Sequence, residues 1–165
     1  MDLARLLRHL AMTSSRVRHT FPPTGLQTIA QAVSDSEARH SGQVRFVIEG
    51  ALDGAPLLQG QGARERAIDL FSRLRIWDTE HNNGVLIYVL LADRRVEILA
   101  DRGIHARAGS QPWDVICQGM EARFAAGDFV NGAVAGIQAV TDLLARHDPP
   151  RLGAHNELAD APVVL

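Results

Sequence analysis

His81-Asn82-Asn83-Gly84-Val85-Leu86-Ile87-Tyr88-Val89-Leu90-Leu91, then Ala92-Asp93-Arg94-Arg95, then Val96-Glu97-Ile98-Leu99-Ala100-Asp101-Arg102-Gly103-Ile104-His105, decides the fold. Val85 to Leu91 is an unbroken apolar run rich in β-branched residues, the pattern of a strand buried on both faces. Ile87 and Tyr88, which point to opposite faces, are therefore both expected to be out of water. The four polar residues 92–95 are short enough for a hairpin connection, which makes Val96 to Ala100 an antiparallel partner. Antiparallel pairing brings the start of the first strand beside the end of the second. His81, Asn82 and Asn83 are thus expected to lie against Asp101, Arg102 and His105 at one end of the sheet.

The rest of the chain supplies layers for that sheet. Thr24 and Gln27 form a capping-box pattern before the helical stripe Leu26, Ile29, Ala30 and Val33, which runs to about His40. Gln43 to Glu49 alternates, with Val44, Phe46 and Ile48 on one buried face. The glycines and proline of residues 50–62 predict a loop. Arg64 to Leu74 reads as a helix, with Trp77 a lid on the core. Gly103 is expected to turn the chain with positive φ. Ser110 and Pro112 mark a helix carrying Trp113, Ile116, Cys117, Met120 and Phe124, which makes Cys117 a small apolar group. Gly127 breaks it, and Asp128 caps a last helix in which Gly132 and Gly136 permit close approach of a neighbour. The order is helix, strand, helix, hairpin, helix, helix, an α/β pattern with helices for both sheet faces.

Both ends are unusual. Leu3, Leu6, Leu7 and Leu10 share one face of a short amphipathic helix, with Arg5, Arg8 and His9 off it. It either packs on its own domain or touches a membrane surface or protein partner. Thr13 to Thr20 reads as a linker. At the other end, Pro162-Val163-Val164-Leu165 is too apolar for an ordinary frayed end. It is expected to dock on a folded surface of this chain or a neighbouring copy, or to be read by a partner protein. The division is residues 1–20 for the amphipathic helix and linker, 21–148 for the domain and 149–165 for an extended tail.

Composition excludes several classes. The net charge of −2 gives no reason to expect nucleic acid, and no aromatic and basic platform for it is present. No apolar run approaches the ~20 residues of a membrane span. All 17 basic residues are arginine, which reads as a compositional bias. With Cys117 the single cysteine, no internal disulfide can form, and a cytoplasmic location is expected.

These residues carry a resemblance. Asn82-Asn83-Gly84-Val85-Leu86-Ile87-Tyr88-Val89, the Asp93-Arg94-Arg95-Val96-Glu97-Ile98 hairpin, Asp101-Arg102-Gly103-Ile104 and Phe124…Gly127-Asp128-Phe129…Gly132 resemble a TPM domain. That family is named for a thylakoid lumen acid phosphatase, a photosystem II repair protein and a worm receptor modulator. The resemblance covers roughly residues 21–148 and implies a three-layer α/β/α sandwich around a small mixed sheet. The tail resembles that of a soluble bacterial branch without secretion signal or membrane anchor. Some members are described as acid phosphatases, and some bind calcium at the hairpin edge. In those members an Asp precedes the Asn-Gly and a Glu follows the second loop's Gly-Leu. Here those positions are Asn82 and His105, so both anionic oxygens are lost, which argues against calcium.

The chemistry left at the hairpin end is modest. His81, Asn82, Asp101 and His105 are candidate ligands for a divalent transition metal. For phosphate-ester hydrolysis, Arg102 and Arg107 would face the phosphoryl oxygens, His81 or His105 would be the general acid, and Asp101 is the carboxylate that the hairpin places there. No phosphate-loop motif and no evident Ser or Cys nucleophile accompany them. The expected function is a non-catalytic interaction or ligand- or metal-binding module, with a metal-dependent acid phosphatase as the alternative.

Overall fold

A computed structural model describes residues 2–165. Its helices and strands, in chain order, are α1 (Leu3–Ala11), α2 (Ser14–Thr20), α3 (Pro23–Ser36), β1 (Gln43–Glu49), α4 (Gly54–Leu58), α5 (Ala63–Arg73), β2 (Gly84–Leu90), β3 (Arg95–Ala100), α6 (Arg102–Ala108), α7 (Gln111–Ala125), α8 (Phe129–His147) and β4 (Val163–Val164). The sheet order is β3-β2-β1-β4. β1 runs parallel to β2 and to β4, and β2 pairs antiparallel with β3. This is a three-layer α/β/α sandwich around a mixed sheet.

Side-chain alternation builds the two cores. Val85, Ile87 and Val89 join Phe46, Ile48 and Ile98 against Ile29, Val33, Phe124, Ile137 and Val140 of α3, α7 and α8. Leu86, Tyr88 and Leu90 join Val47 and Leu99 against Ala63, Ala67 and Leu70 of α5. Ile87 and Tyr88 are both fully buried, as a strand covered on both faces requires. On α8, a methyl group at Gly136 would collide with Met120 of α7, and one at Gly132 would press on Phe124, so both glycines set the close α7–α8 packing.

Several expectations change. β1 is buried on both faces, because α5 and the tail cover the side that carries Gln43 and Glu49. Glu49 there binds Arg66 at 2.7 and 2.9 Å and accepts the Tyr88 hydroxyl at 2.6 Å. Residues 14–20 form a helix rather than a linker, capped by the Thr13 hydroxyl, and Val17 is its one buried side chain. α3 begins at Pro23, not after a Thr24 cap, because proline's fixed φ suits the first turn. A short helix interrupts the glycine-rich 50–62 segment. Trp77 is 48% exposed, with the Arg75 guanidinium 6.0 Å from its ring, so it is no lid. Asp128 ends in contact with Arg123 and Asn131 rather than a helix amide. The Cys117 thiol is half-buried, and burial followed by the charge of Glu97 pushes it up to about 12, in keeping with an unreactive packing group.

The tail lies along β1 of its own chain. Leu165 N–H donates to Ile48 O at 2.9 Å and Gly50 N–H to Leu165 O at 3.2 Å. Gln43 Oε1 accepts the amides of Glu157 and Leu158, and Arg45 donates to the carbonyls of Ala159 and Ala161. The tail thereby covers a sheet edge that would otherwise present unpaired amides.

Candidate functional site

The antiparallel register places Asp101 at the end of β3, where its amide donates to Gly84 O at 2.8 Å. Its Oδ1 accepts from Arg102 N at 2.7 Å and so caps α6. Its Oδ2 is buried and has no partner. Gly103 lies inside α6 instead of making a positive-φ turn. Its small size matters for a different reason. A Cβ there would come within 2.5 Å of Asn82 O, the atom that Gly103 N–H reaches at 3.1 Å. Asn82 itself takes φ of 50°, a conformation asparagine tolerates. The 81–82 loop is thus held against the first turn of α6, as the hairpin reading anticipates.

Asn83 turns inward. Its Nδ2 donates to Ser41 O at 2.8 Å and to Asp148 Oδ2 at 2.9 Å, while its Oδ1 is buried without a partner. Asp148, fully buried at the end of α8, also accepts from Arg151 and lies 3.6 Å from Arg107 NH2. Ser41 N–H donates back to Asp148 O, and Ser41 Oγ accepts Arg151 N–H at 2.8 Å. His40 is buried nearby with both ring nitrogens unpartnered. Burial holds it below the ordinary imidazole range, so the ring is neutral; the backbone of Gly42 and the charge of Asp148 oppose the shift only in part.

His81, Asn82, Arg102 and His105 are exposed around this buried polar core. His81 Nε2 is 4.0 Å from Glu80 Oε2. Among the described residues, no group of three or more His, Cys, Asp or Glu side chains gathers as a metal cluster. The calcium pattern of the family does not fit. The two positions that would carry its carboxylates offer an amide, Asn82, and an imidazole, His105, where calcium requires several hard anionic oxygens.

Sequence reasoning missed His40, Ser41, Asp148 and Arg151. The polar run His147-Asp148-Pro149-Pro150-Arg151 was a signal, but its contact with Asn83 spans 65 residues of chain and no local pattern encodes it.

A hairpin-ended mixed sheet between α3/α7/α8 and α5, with Asn82-Asn83-Gly84 leading into the central strand, defines the class. The TPM domain family matches residues 16–143, and the chain belongs to it. It is similar to the NMR structure of BA42 protein from the psychrophilic bacterium Bizionia argentinensis, with 28% identity, a TM-score of 0.75, and coverage of 86% of this chain and 93% of that one. It shares the fold of the N-terminal domain of a protein from P. gingivalis, with 17% identity, a TM-score of 0.60, and coverage of 78% and 81%. Among curated proteins none matches.

Proposed function

We propose that the chain is a non-catalytic binding module whose ligand site is the hairpin end. The observation that carries this reading is that two residues of the hairpin end each bury an acceptor without a donor, Oδ1 of Asn83, which precedes Gly84, and Oδ2 of Asp101, whose amide donates to Gly84 O. A buried acceptor without a donor costs about 1–3 kcal/mol, so the site favours a cation, a donor group or a bridging water. Among these, a divalent transition metal would need His81, His105 and Asp101 to draw together around it, since no three such side chains gather among the described residues, with water and main-chain oxygen completing its shell.

The hydrolase alternative finds less support. Asp148 is covered by Arg107, Arg151 and Asn83, and Asp101 is committed through one oxygen to α6. Neither carboxylate is free to orient and relay a proton through a hydrolytic cycle. An aryl phosphate incubated at pH 4–8, with and without divalent ions, separates the two readings. Turnover at the buffer rate is expected. Turnover that disappears in Asp101→Asn would make the site catalytic.

A further inference from the structure

The N-terminal helix is mounted back to front. In an ordinary surface helix the apolar stripe faces the core and the charged residues face water. Here Leu3, Leu7 and Leu10 are 67%, 58% and 70% exposed, whereas His9 is buried and Arg5 is turned inward. Leu6, at the margin of the stripe, is the leucine that packs on the α5-side core.

Specific bonds fix this orientation. Arg5 donates to Asp93 through Nε at 3.0 and 3.1 Å and through NH2 at 2.8 Å, and its NH2 also reaches Gln61 O at 2.7 Å. His9 accepts Leu52 N–H at Nδ1, 2.9 Å away, which leaves its proton on Nε2, donated to Asp93 Oδ1 at 2.9 Å. Burial opposes ionisation of Asp93, but the hydrogen bonds from Arg5 and His9 outweigh it and hold the carboxyl below its usual range. The polar face is thus satisfied against the β2–β3 turn, and the leucines are held outward.

The surroundings select the occupant. Residues 2–20 carry Arg5, Arg8, Arg16 and Arg18 against Asp2 alone, although the whole chain is net negative. Arg8, Arg16 and Arg18 are exposed. Arg18 and Asp53 line one open groove with Leu10 and with Val164 and Leu165 of the tail, the last two being half exposed. An apolar stripe flanked by arginines fits an anionic bilayer surface, with leucines among the acyl chains and guanidinium groups at the phosphates. Two copies meeting through this face would bring their arginines together, which disfavours self-association. Among the described residues no helix is long and apolar enough to cross a membrane, so the contact would be peripheral.

We infer that α1 and the adjoining arginines form a docking face for anionic lipid surfaces. This face is separate from the hairpin end and stands or falls independently of it. The test is co-sedimentation of the full chain with vesicles of phosphatidylglycerol and phosphatidylcholine, compared with phosphatidylcholine alone. Binding to the anionic vesicles is expected, with at least tenfold weaker binding to the neutral ones. Leu7→Glu should reduce the anionic binding at least tenfold, and Arg16→Glu combined with Arg18→Glu should act in the same direction. All are surface changes, and circular dichroism checks that the variants fold. No binding to anionic vesicles, equal binding by Leu7→Glu, or a leucine-dependent dimer in sedimentation velocity without vesicle binding would overturn the inference.

Discussion

Asp93 and Asp148 both accept from basic side chains, Asp93 from Arg5 and His9 of α1 and Asp148 from Arg151 with Arg107 close by, but their surroundings differ. Around Asp93 both carboxylate oxygens and both nitrogens of His9 are bonded. Around Asp148 the neighbouring groups are left incomplete: His40 has no partner at either nitrogen, Asn83 Oδ1 has no donor, and Arg151 NH1 has no acceptor; Asp101 Oδ2, at the end of β3, also lacks a donor. A completed buried network fixes geometry, whereas an incomplete one marks a place that a ligand or water can satisfy. The first region is a clamp for α1; the second is the candidate binding site.

The largest expected effect is on the incomplete network. Asp148→Ala removes the acceptor shared by Asn83 and Arg151 and should lower global stability by about 3 kcal/mol, read as a reduced denaturant midpoint. Asp93→Ala should instead act locally. Amide exchange in α1 should accelerate strongly, while the global midpoint falls by about 1–2 kcal/mol. Equal global losses for the two variants would break the distinction between site and clamp.

Smaller effects sharpen it. Removing residues 162–165 should cost about 1–2 kcal/mol, since Val163 is partly buried and Val164 and Leu165 only half so, with chain ordering offsetting part of the gain. Rapid exchange of Leu165 N–H in the intact chain would contradict the docked tail. His40 is held below its ordinary value of 6.5, so the unfolded chain takes up the proton first and stability should fall as pH drops below about 6.5. His40→Leu should flatten that part of the profile. Glu37 behaves in the opposite sense. Burial, then its contact with the Asp160 carboxyl, raises it from 4.5 to about 7, so a small stabilisation present below pH 4.5 is lost as pH rises through about 7. Both groups are only half-buried at the surface, where solvent screening keeps the loss under about 1 kcal/mol, and Glu37→Gln should remove it.

What the sequence disclosed follows from the range of the interactions. Val85 to Leu91 is legible because burial on both faces leaves an uninterrupted apolar run, and the hairpin then brings Asn82 to Asp101 and Gly103 by register alone. α2 escaped because seven residues with one buried valine give no periodicity. The orientation of α1 was illegible because its leucine stripe predicts packing, and only the distant Asp93 turns that face outward. Asp148 was missed for the same reason: its bond to Asn83 joins the end of the last long helix to the start of the central strand. The tail's apolar end was visible, but its partner strand was not.

Zinc titration followed by thermal unfolding, on wild type, Asp101→Asn and His105→Ala, tests the binding site most directly. If the hairpin end holds the metal, a hundredfold excess over the dissociation constant adds about 2.7 kcal/mol, or roughly 5–10 °C in Tm for a chain of this size. The account predicts that shift in the wild type and its loss in both variants. An unchanged Tm in the wild type, or the same rise in all three proteins, would contradict metal binding at the hairpin end.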